Sequence, residues 1–170
     1  MNSIDPDEIF PVVDEDGKTT GTASRTQCHN GRSMLLHPVV HLHLFNKDGN
    51  LFLQKRAITK DLLPGKWDTS VGGHMSPGET PEEALAREAF EELGLKNMEF
   101  TFTGKYIWES SRERELVYSF TGTSQDIPAI NHIEIDEGRF WEIREIKENY
   151  GKEIFTPNFE YEFNNFLITT

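Results

Sequence analysis

The segment Gly73 to Leu95, GHMSPGETPEEALAREAFEELGL, constrains this chain more than any other stretch. It spaces a glycine, five residues, Glu79, seven residues, and then Arg87-Glu88-Ala89-Phe90-Glu91-Glu92-Leu93-Gly94-Leu95. Thr80-Pro81-Glu82-Glu83 predicts a helix start. Thr80 suits the N-cap, Pro81 suits the first helical position, where its missing N–H loses no hydrogen bond, and Glu83 closes a capping box. Gly94 suits the left-handed residue that ends a helix. At roughly 100° per residue, Glu88, Glu91 and Glu92 share one face. Leu85, Ala86, Ala89, Phe90 and Leu93 form a broad apolar stripe suited to packing on a sheet.

Three carboxylates held this close repel one another unless a cation lies between them. Hard oxygen ligands suit Mg²⁺ or Mn²⁺, which bridge protein carboxylates and substrate phosphates. An acidic helix face is more often simply solvated. Its combination with Gly73, Glu79, Arg87 and Gly94 at these spacings favours a metal-binding face. The guanidinium of Arg87 is a rigid fork, suited to orienting carboxylates rather than to moving protons.

A chain of 170 residues fits one domain, expected over 1–170, with a sizeable core. Its net charge of −12 disfavours non-specific binding to nucleic acid or to an anionic membrane, and it leaves phosphates to be neutralised locally by metal and a few basic side chains. Cys28 is the single cysteine, which excludes an intrachain disulfide framework and a cysteine-only zinc site. The opening MNSIDPDEIFPVVDEDGK does not resemble a signal peptide, and no apolar run approaches the ~18 residues that a membrane span needs. The expectation is a soluble, cytoplasmic protein.

Hydrophobic alternation predicts an α/β architecture. Ile9 to Val13 and Thr19 to Arg25 read as an N-terminal hairpin, about residues 8–26. Val39 to Phe45 alternates, with Val40, Leu42 and Leu44 on one face and His41 and His43 on the other, where they either line a cleft or are solvated. Asn46 to Asn50 turns that strand into Leu51 to Arg56. A loop rich in Gly and Pro leads to the acidic helix, and Phe100 to Trp108, Leu116 to Thr121 and Arg139 to Ile143 read as further strands. Thr156-Pro157 begins a last helix, about 157–168, whose Phe159, Phe163, Phe166 and Leu167 recur at helical spacing and so are packing residues.

Residues 73–95 resemble the signature of the Nudix family, G-x5-E-x7-R-E-U-x-E-E-x-G-U, where U is bulky and apolar. Every fixed position matches, with only Ala89 smaller than usual. The resemblance implies an α/β/α sandwich with a mixed sheet. It also implies an Arg87–Glu79 network that holds the glutamates, and hydrolysis of a diphosphate linkage. Glu88, Glu91 and Glu92, with the Gly73 carbonyl, would hold Mg²⁺ or Mn²⁺, and Glu91, Glu92 or an additional carboxylate, Glu115, would take a proton from water. Arg56 and Lys60 are expected to clamp phosphate. The substrate would be a nucleoside diphosphate derivative or a related small-molecule diphosphate, and the family commonly forms homodimers. Trp67, Tyr106 and Trp108 could stack on the remaining group or belong to the core.

Leu53-Gln54-Lys55-Arg56, Lys60, Leu63 to Asp68 and Ser70 to His74 are similar to one branch of that family in particular, as are Val12 to Glu15, Gly21, Arg25, His29 and His37. That branch contains isopentenyl-diphosphate isomerase and related bacterial hydrolases. The isomerase is the main rival reading; it places a cysteine where this chain has Gly72, and Cys28 reads instead as a buried small hydrophobe. The isomerase also binds metal through histidines and glutamates, whose counterparts here would be His29, His37, His74, Glu113 and Glu115. Glu113 and Glu115 point to one side of an extended segment. A non-catalytic Nudix ligand sensor is a third reading, opposed by the intact signature.

Overall fold

The computed structural model describes residues 5–168, and its chain begins with a hairpin of β1 (Ile9–Val13) and β2 (Thr19–Ser24). The Asp14 carboxylate closes the turn by accepting from the backbone N–H groups of Asp16 and Lys18. The second strand stops one residue before the predicted Arg25. Ser24 and Gln27 form a capping box that starts a one-turn helix, α1 (Arg25–Cys28), with His29 at its C-cap. Cys28 is fully buried with Phe10 and Ala23.

The main sheet comprises β3 (Leu36–Phe45), β4 (Leu51–Arg56), β5 (Trp67–Asp68), β6 (Val71–His74), β7 (Met98–Glu109), β8 (Arg114–Ser124) and β9 (Ile135–Trp141). The order is β5-β4-β3-β8-β7, with β6 also paired to β3 and β9 to β4. β3 and β8 run parallel, whereas the other pairs are antiparallel, so the sheet is mixed. β3 begins three residues earlier than the alternation indicates, because Leu36, His37 and Pro38 pair with Arg114, Glu115 and Leu116. β5 and β6 replace the expected uninterrupted loop. β9 ends at Trp141, and Ile143 opens a helix the sequence reading did not contain, α3 (Ile143–Asn149).

The acidic segment forms α2 (Pro81–Leu93) within the predicted limits. Thr80 and Glu83 make both capping-box hydrogen bonds, and Gly94 takes φ 67° at the C-cap. The stripe it buries differs from the expected one: Ala84, Leu85, Ala89, Glu92 and Leu93 face inward, whereas Ala86 and Phe90 are exposed. Small Ala84 and Ala89 let the helix approach the sheet closely, and the rotation that does so turns Phe90 out and Glu92 in. This face packs on Val40, Leu42, Leu44 and Val71. On the other face of the sheet, Leu51, Leu53, Trp67 and Trp141 meet Ile146 of α3 and Phe155, Phe159 and Phe163. The last two aromatics come from α4 (Pro157–Glu162), capped by Thr156, and from the π-helical turn Phe163–Leu167 that continues it. Helices on both faces give the three-layer α/β/α arrangement. No described helix is long and apolar enough to cross a membrane.

Leu85 is fully buried at the centre of the α2–sheet contact. Leu85→Ala is expected to destabilise the fold by about 2 to 5 kcal/mol, read from a denaturant-unfolding midpoint. A loss below about 1 kcal/mol would mean that the helix is not clamped on the sheet as described.

Candidate active site

Strand alternation divides the site between the two faces of the sheet. Val40 pairs with Gly73 and Leu42 with Val71 on the face toward α2. His41 pairs with Gly72 and Val39 with His74 on the opposite face. Parallel pairing places Glu115 beside His37 and Ser119 beside His41 on that same opposite face.

On the α2 face, Gly73 lies so close to Glu88 that an added Cβ would run into the carboxylate. Arg87 organises the cluster: Nε and Nη2 donate to the two oxygens of Glu79 at 2.8 and 2.9 Å, and Nη1 donates to Glu88 Oε1 at 2.5 Å. Nη2 also donates to the His74 carbonyl at 2.9 Å, and Nη1 lies 3.5 Å from Glu91. Glu92 accepts from Gln54 Nε2 at 3.0 Å and from the Gly72 N–H at 3.3 Å. Glu88 thereby sits against Gly73, Glu91 beside Arg87 and Glu92 against the Gly72 N–H. Burial, opposed by Arg87 and reinforced by Glu91 and Glu134, pushes the Glu88 carboxyl up to about 7. Burial, with Glu88 and Glu134 nearby, pushes Glu92 well above the carboxylate range. Crowded carboxylates that retain protons in a metal-free protein are a donor set for a divalent cation.

The opposite face brings together the five residues suggested by the branch resemblance. Ligand atoms of His29, His37 and His74 lie within 4.8 Å of one another, as do those of His37, Glu113 and Glu115. His29 Nε2 is 3.0 Å from Glu113 Oε2 and 3.1 Å from His74 Nε2. His37 Nδ1–H donates to the Leu35 carbonyl at 2.9 Å, and its buried Nε2 has no hydrogen-bond partner among the described residues. An imidazole oriented through one nitrogen, with the other aimed at neighbouring donors, is prepared for a metal. Burial lowers His29 to about 4, helped by His37, Arg25 and Arg112. It also lowers His37, and it takes His74 well below the usual range, so all three imidazoles are neutral, the form that binds metal. Burial raises both Glu113 and Glu115. Phe10 of the hairpin stacks on His74 at a 4.2 Å centroid separation and roofs this cluster. Nitrogen and carboxylate oxygen donors of this kind suit a transition-metal dication such as Mn²⁺ or Zn²⁺.

Glu162 of α4 was not singled out from the sequence. It is fully buried, and it accepts from His41 Nδ1, from His43 Nε2 at 2.5 Å, and from the hydroxyls of Tyr106 and Ser119 at 2.6 Å each. Burial works against charge on both partners. The two histidines nevertheless hold Glu162 well below the usual carboxylate range, and Glu162, with Asp68 and Glu115, holds His41 up to about 9. His41 and His43 are therefore buried members of a polar network rather than solvated strand residues. Trp67 belongs to the core and Tyr106 is tied to Glu162, which leaves Trp108 half-buried beside Tyr161.

The two expected phosphate clamps already have protein partners. Arg56 donates to the Leu62 carbonyl at 3.0 Å and to Asp68 at 3.3 Å, and Lys60 donates to Glu134 at 3.2 Å. Cys28, which burial pushes up to about 11, is a packed thiol with no role as a nucleophile.

This arrangement, a glutamate-lined helix end packed on a mixed sheet between helices, defines a Nudix-type domain. Residues 35–159 match the NUDIX domain, and the chain belongs to that family. It is 34% identical over 157 residues to an isopentenyl-diphosphate Δ-isomerase of Streptomyces griseus subsp. griseus, covering 89% of this chain and 79% of that protein. Among solved structures, the DR0079 protein of Deinococcus radiodurans superposes with a TM-score of 0.79 at 24% identity, covering 94% of this chain and 99% of that one. A NUDIX hydrolase from Nitrosomonas europaea superposes with a TM-score of 0.60 at 21% identity, covering 76% and 90% respectively.

The protonation pattern fixes a pH dependence. Above pH 6.5 the three lowered histidines are neutral in both folded and unfolded chains and add none. Glu88 and His41 keep protons in the fold up to about 7 and about 9, whereas the unfolded chain releases them near 4.5 and 6.5. The native state thus binds more protons, Glu88 up to about 7 and His41 from about 6.5 to about 9, so the stability of the metal-free protein falls as the pH rises to about 9, with His41 carrying the fall above 7. The thermal midpoint in a chelator is expected to drop across that interval, and Mg²⁺ is expected to raise it more at the upper end. A midpoint that climbs with pH would contradict the assigned protonation states.

Proposed function

We propose that this protein is a divalent-metal-dependent Nudix hydrolase that cleaves the diphosphate linkage of a nucleoside diphosphate derivative or a related small-molecule diphosphate. The observation that carries this reading is the Arg87 fork joining Glu79, Glu88 and Glu91, with Glu88 pressed against Gly73 and Glu92 held by the Gly72 N–H, while Gly72 brings no acid or base of its own to the neighbouring face. Glu88, Glu91, Glu92 and the Gly73 carbonyl would hold Mg²⁺ or Mn²⁺. Such an ion supplies neutralisation of phosphate charge and acidification of water. The chain supplies the geometry. Arg87 and Glu79 fix the carboxylates, Gln54 and the Gly72 N–H fix Glu92, and Glu91 or Glu92 accepts the proton of the attacking water, whereas Glu115, expected as an additional base, stands on the opposite face beside His37. The net charge of −12 fits a small anionic substrate brought in by metal rather than binding to nucleic acid or membrane. A cytoplasmic location and a homodimer are part of the same proposal.

Glu91→Gln and Glu92→Gln are expected to lower turnover roughly 100-fold or more with the fold intact. The measurement is phosphate-product release, with Mg²⁺ and with chelator, across nucleotide sugars, dinucleotides, nucleoside triphosphates and isopentenyl diphosphate. Near-normal turnover in both variants would remove the metal face from the mechanism.

A second reading, isomerisation of a five-carbon allylic diphosphate, is favoured by the histidine–glutamate cluster and by relatives named isopentenyl-diphosphate isomerase. That reaction protonates an alkene and removes a proton from the opposite face. Glu115 offers one of these groups, and Gly72 lacks the side chain for the other. Product analysis of the isopentenyl diphosphate sample separates the two: a rearranged diphosphate supports the isomerase, and released phosphate supports the hydrolase.

A further inference from the structure

His41 sits where the two halves of the site meet. Its strand partner is Gly72, whose N–H reaches Glu92 of the box and whose neighbour two residues on is His74. Because Gly72 has no side chain, the Cδ2–Nε2 edge of the imidazole borders the space that a Cβ would fill, at 3.4 and 3.7 Å from that position. The other ring nitrogen, Nδ1, is held by the buried Glu162 carboxylate, which is itself fixed by His43, Tyr106 and Ser119. Nε2 has no hydrogen-bond partner among the described residues, and His41 keeps 6% of its surface exposed beside half-buried Gly72. The ring therefore has one end anchored and the other free. Glu115 and Asp68 lie close enough to act on its charge.

An anionic diphosphate bound beside Gly72 needs hydrogen-bond donors. Arg56 and Lys60 are committed to Asp68, to the Leu62 carbonyl and to Glu134. From this geometry we infer that His41 is a substrate-binding residue whose Nε2–H, presented by Glu162 through Nδ1 and admitted by the absence of a side chain at Gly72, donates to a phosphate oxygen of the diphosphate. A buried carboxylate behind the ring fixes its orientation and favours the imidazolium, in which Nδ1–H donates to Glu162 and Nε2 also carries a hydrogen to donate. The inference rests on the diphosphate reading and assigns its substrate a contact beyond the signature helix.

Binding of methylenediphosphonate, a diphosphate analogue with no cleavable bridge, tests it by calorimetry in the presence of Mg²⁺. In His41→Asn the amide N–H can take over the Nδ1 bond to Glu162, keeping the polar network, while nothing replaces Nε2. The expected result is affinity lowered about tenfold or more with a thermal midpoint close to that of the unsubstituted protein. The imidazole resonances of His41 in the unsubstituted protein should also shift when the analogue is added, a readout that stands even if the variant fails to fold. Unchanged affinity in His41→Asn, or imidazole resonances that do not move, would reduce His41 to a strut between sheet and helix. If the unsubstituted protein binds no analogue, the diphosphate reading itself fails, an outcome distinct from a variant without effect.

Discussion

The guanidinium of Arg87 is the contact on which the site depends. It joins the loop carrying Glu79, the helix carrying Glu88 and Glu91, and the carbonyl of His74 on β6. Without a fixed cation in their midst, half-buried carboxylates at this spacing would repel and turn out to solvent. A lysine could neutralise them but could not span three directions at once, since it lacks the planar fork. Because one prong reaches the backbone of β6, the same residue that orients the box glutamates also sets the position of the strand bearing His74. The carboxylate cluster and the histidine cluster are thus mechanically joined, although they lie on different faces of the sheet.

Glu162 plays the corresponding part on the far face. A fully buried carboxylate is costly unless its lone pairs are met, and here four side chains from β3, β7 and β8 meet them. The network fastens the last helix to the sheet more specifically than the aromatic packing of Phe159 and Phe163 alone, because only one rotation of α4 presents Glu162 to all four donors. Removing one partner would leave charge or polarity stranded in the interior, so the network behaves as a unit.

What the sequence made legible follows the range of the interactions involved. The limits of α2 could be read from Thr80, Pro81, Glu83 and Gly94 because capping is local chemistry. The face it buries was misjudged, since counting apolar residues admitted Phe90 and left out Ala84, and close packing against the sheet selects small side chains and a partnered Glu92 instead. β6 was missed because Val-Gly-Gly-His shows no alternation; only its pairing with β3 makes it a strand. α3 was missed because Glu142 provides no side-chain cap. The gathering of His29, His37, His74, Glu113 and Glu115 was suggested by family resemblance, and the separations along the chain give no other sign of it. Glu162 had no local signal: its partners lie on strands as far as 121 residues away in sequence, and an acidic residue on a helix reads as solvated until the helix is placed. The paired alternation of His41 and His43 was the one visible hint.

The alternation of β6 has a consequence for how such a protein can diverge. Val71 and Gly73 belong to one face, Gly72 and His74 to the other, so side-chain parity along four residues keeps two chemical inventories apart. Lineages can therefore exchange the residue at position 72 and alter what the histidine face does, while position 73 stays closed to any side chain by its contact with Glu88. A length change is a different matter. One residue gained or lost within this strand would swap the two inventories across the sheet, driving an imidazole toward the glutamates and a glycine toward the histidines. Diversification at this site is thus free to proceed by replacement and is barred from proceeding by insertion.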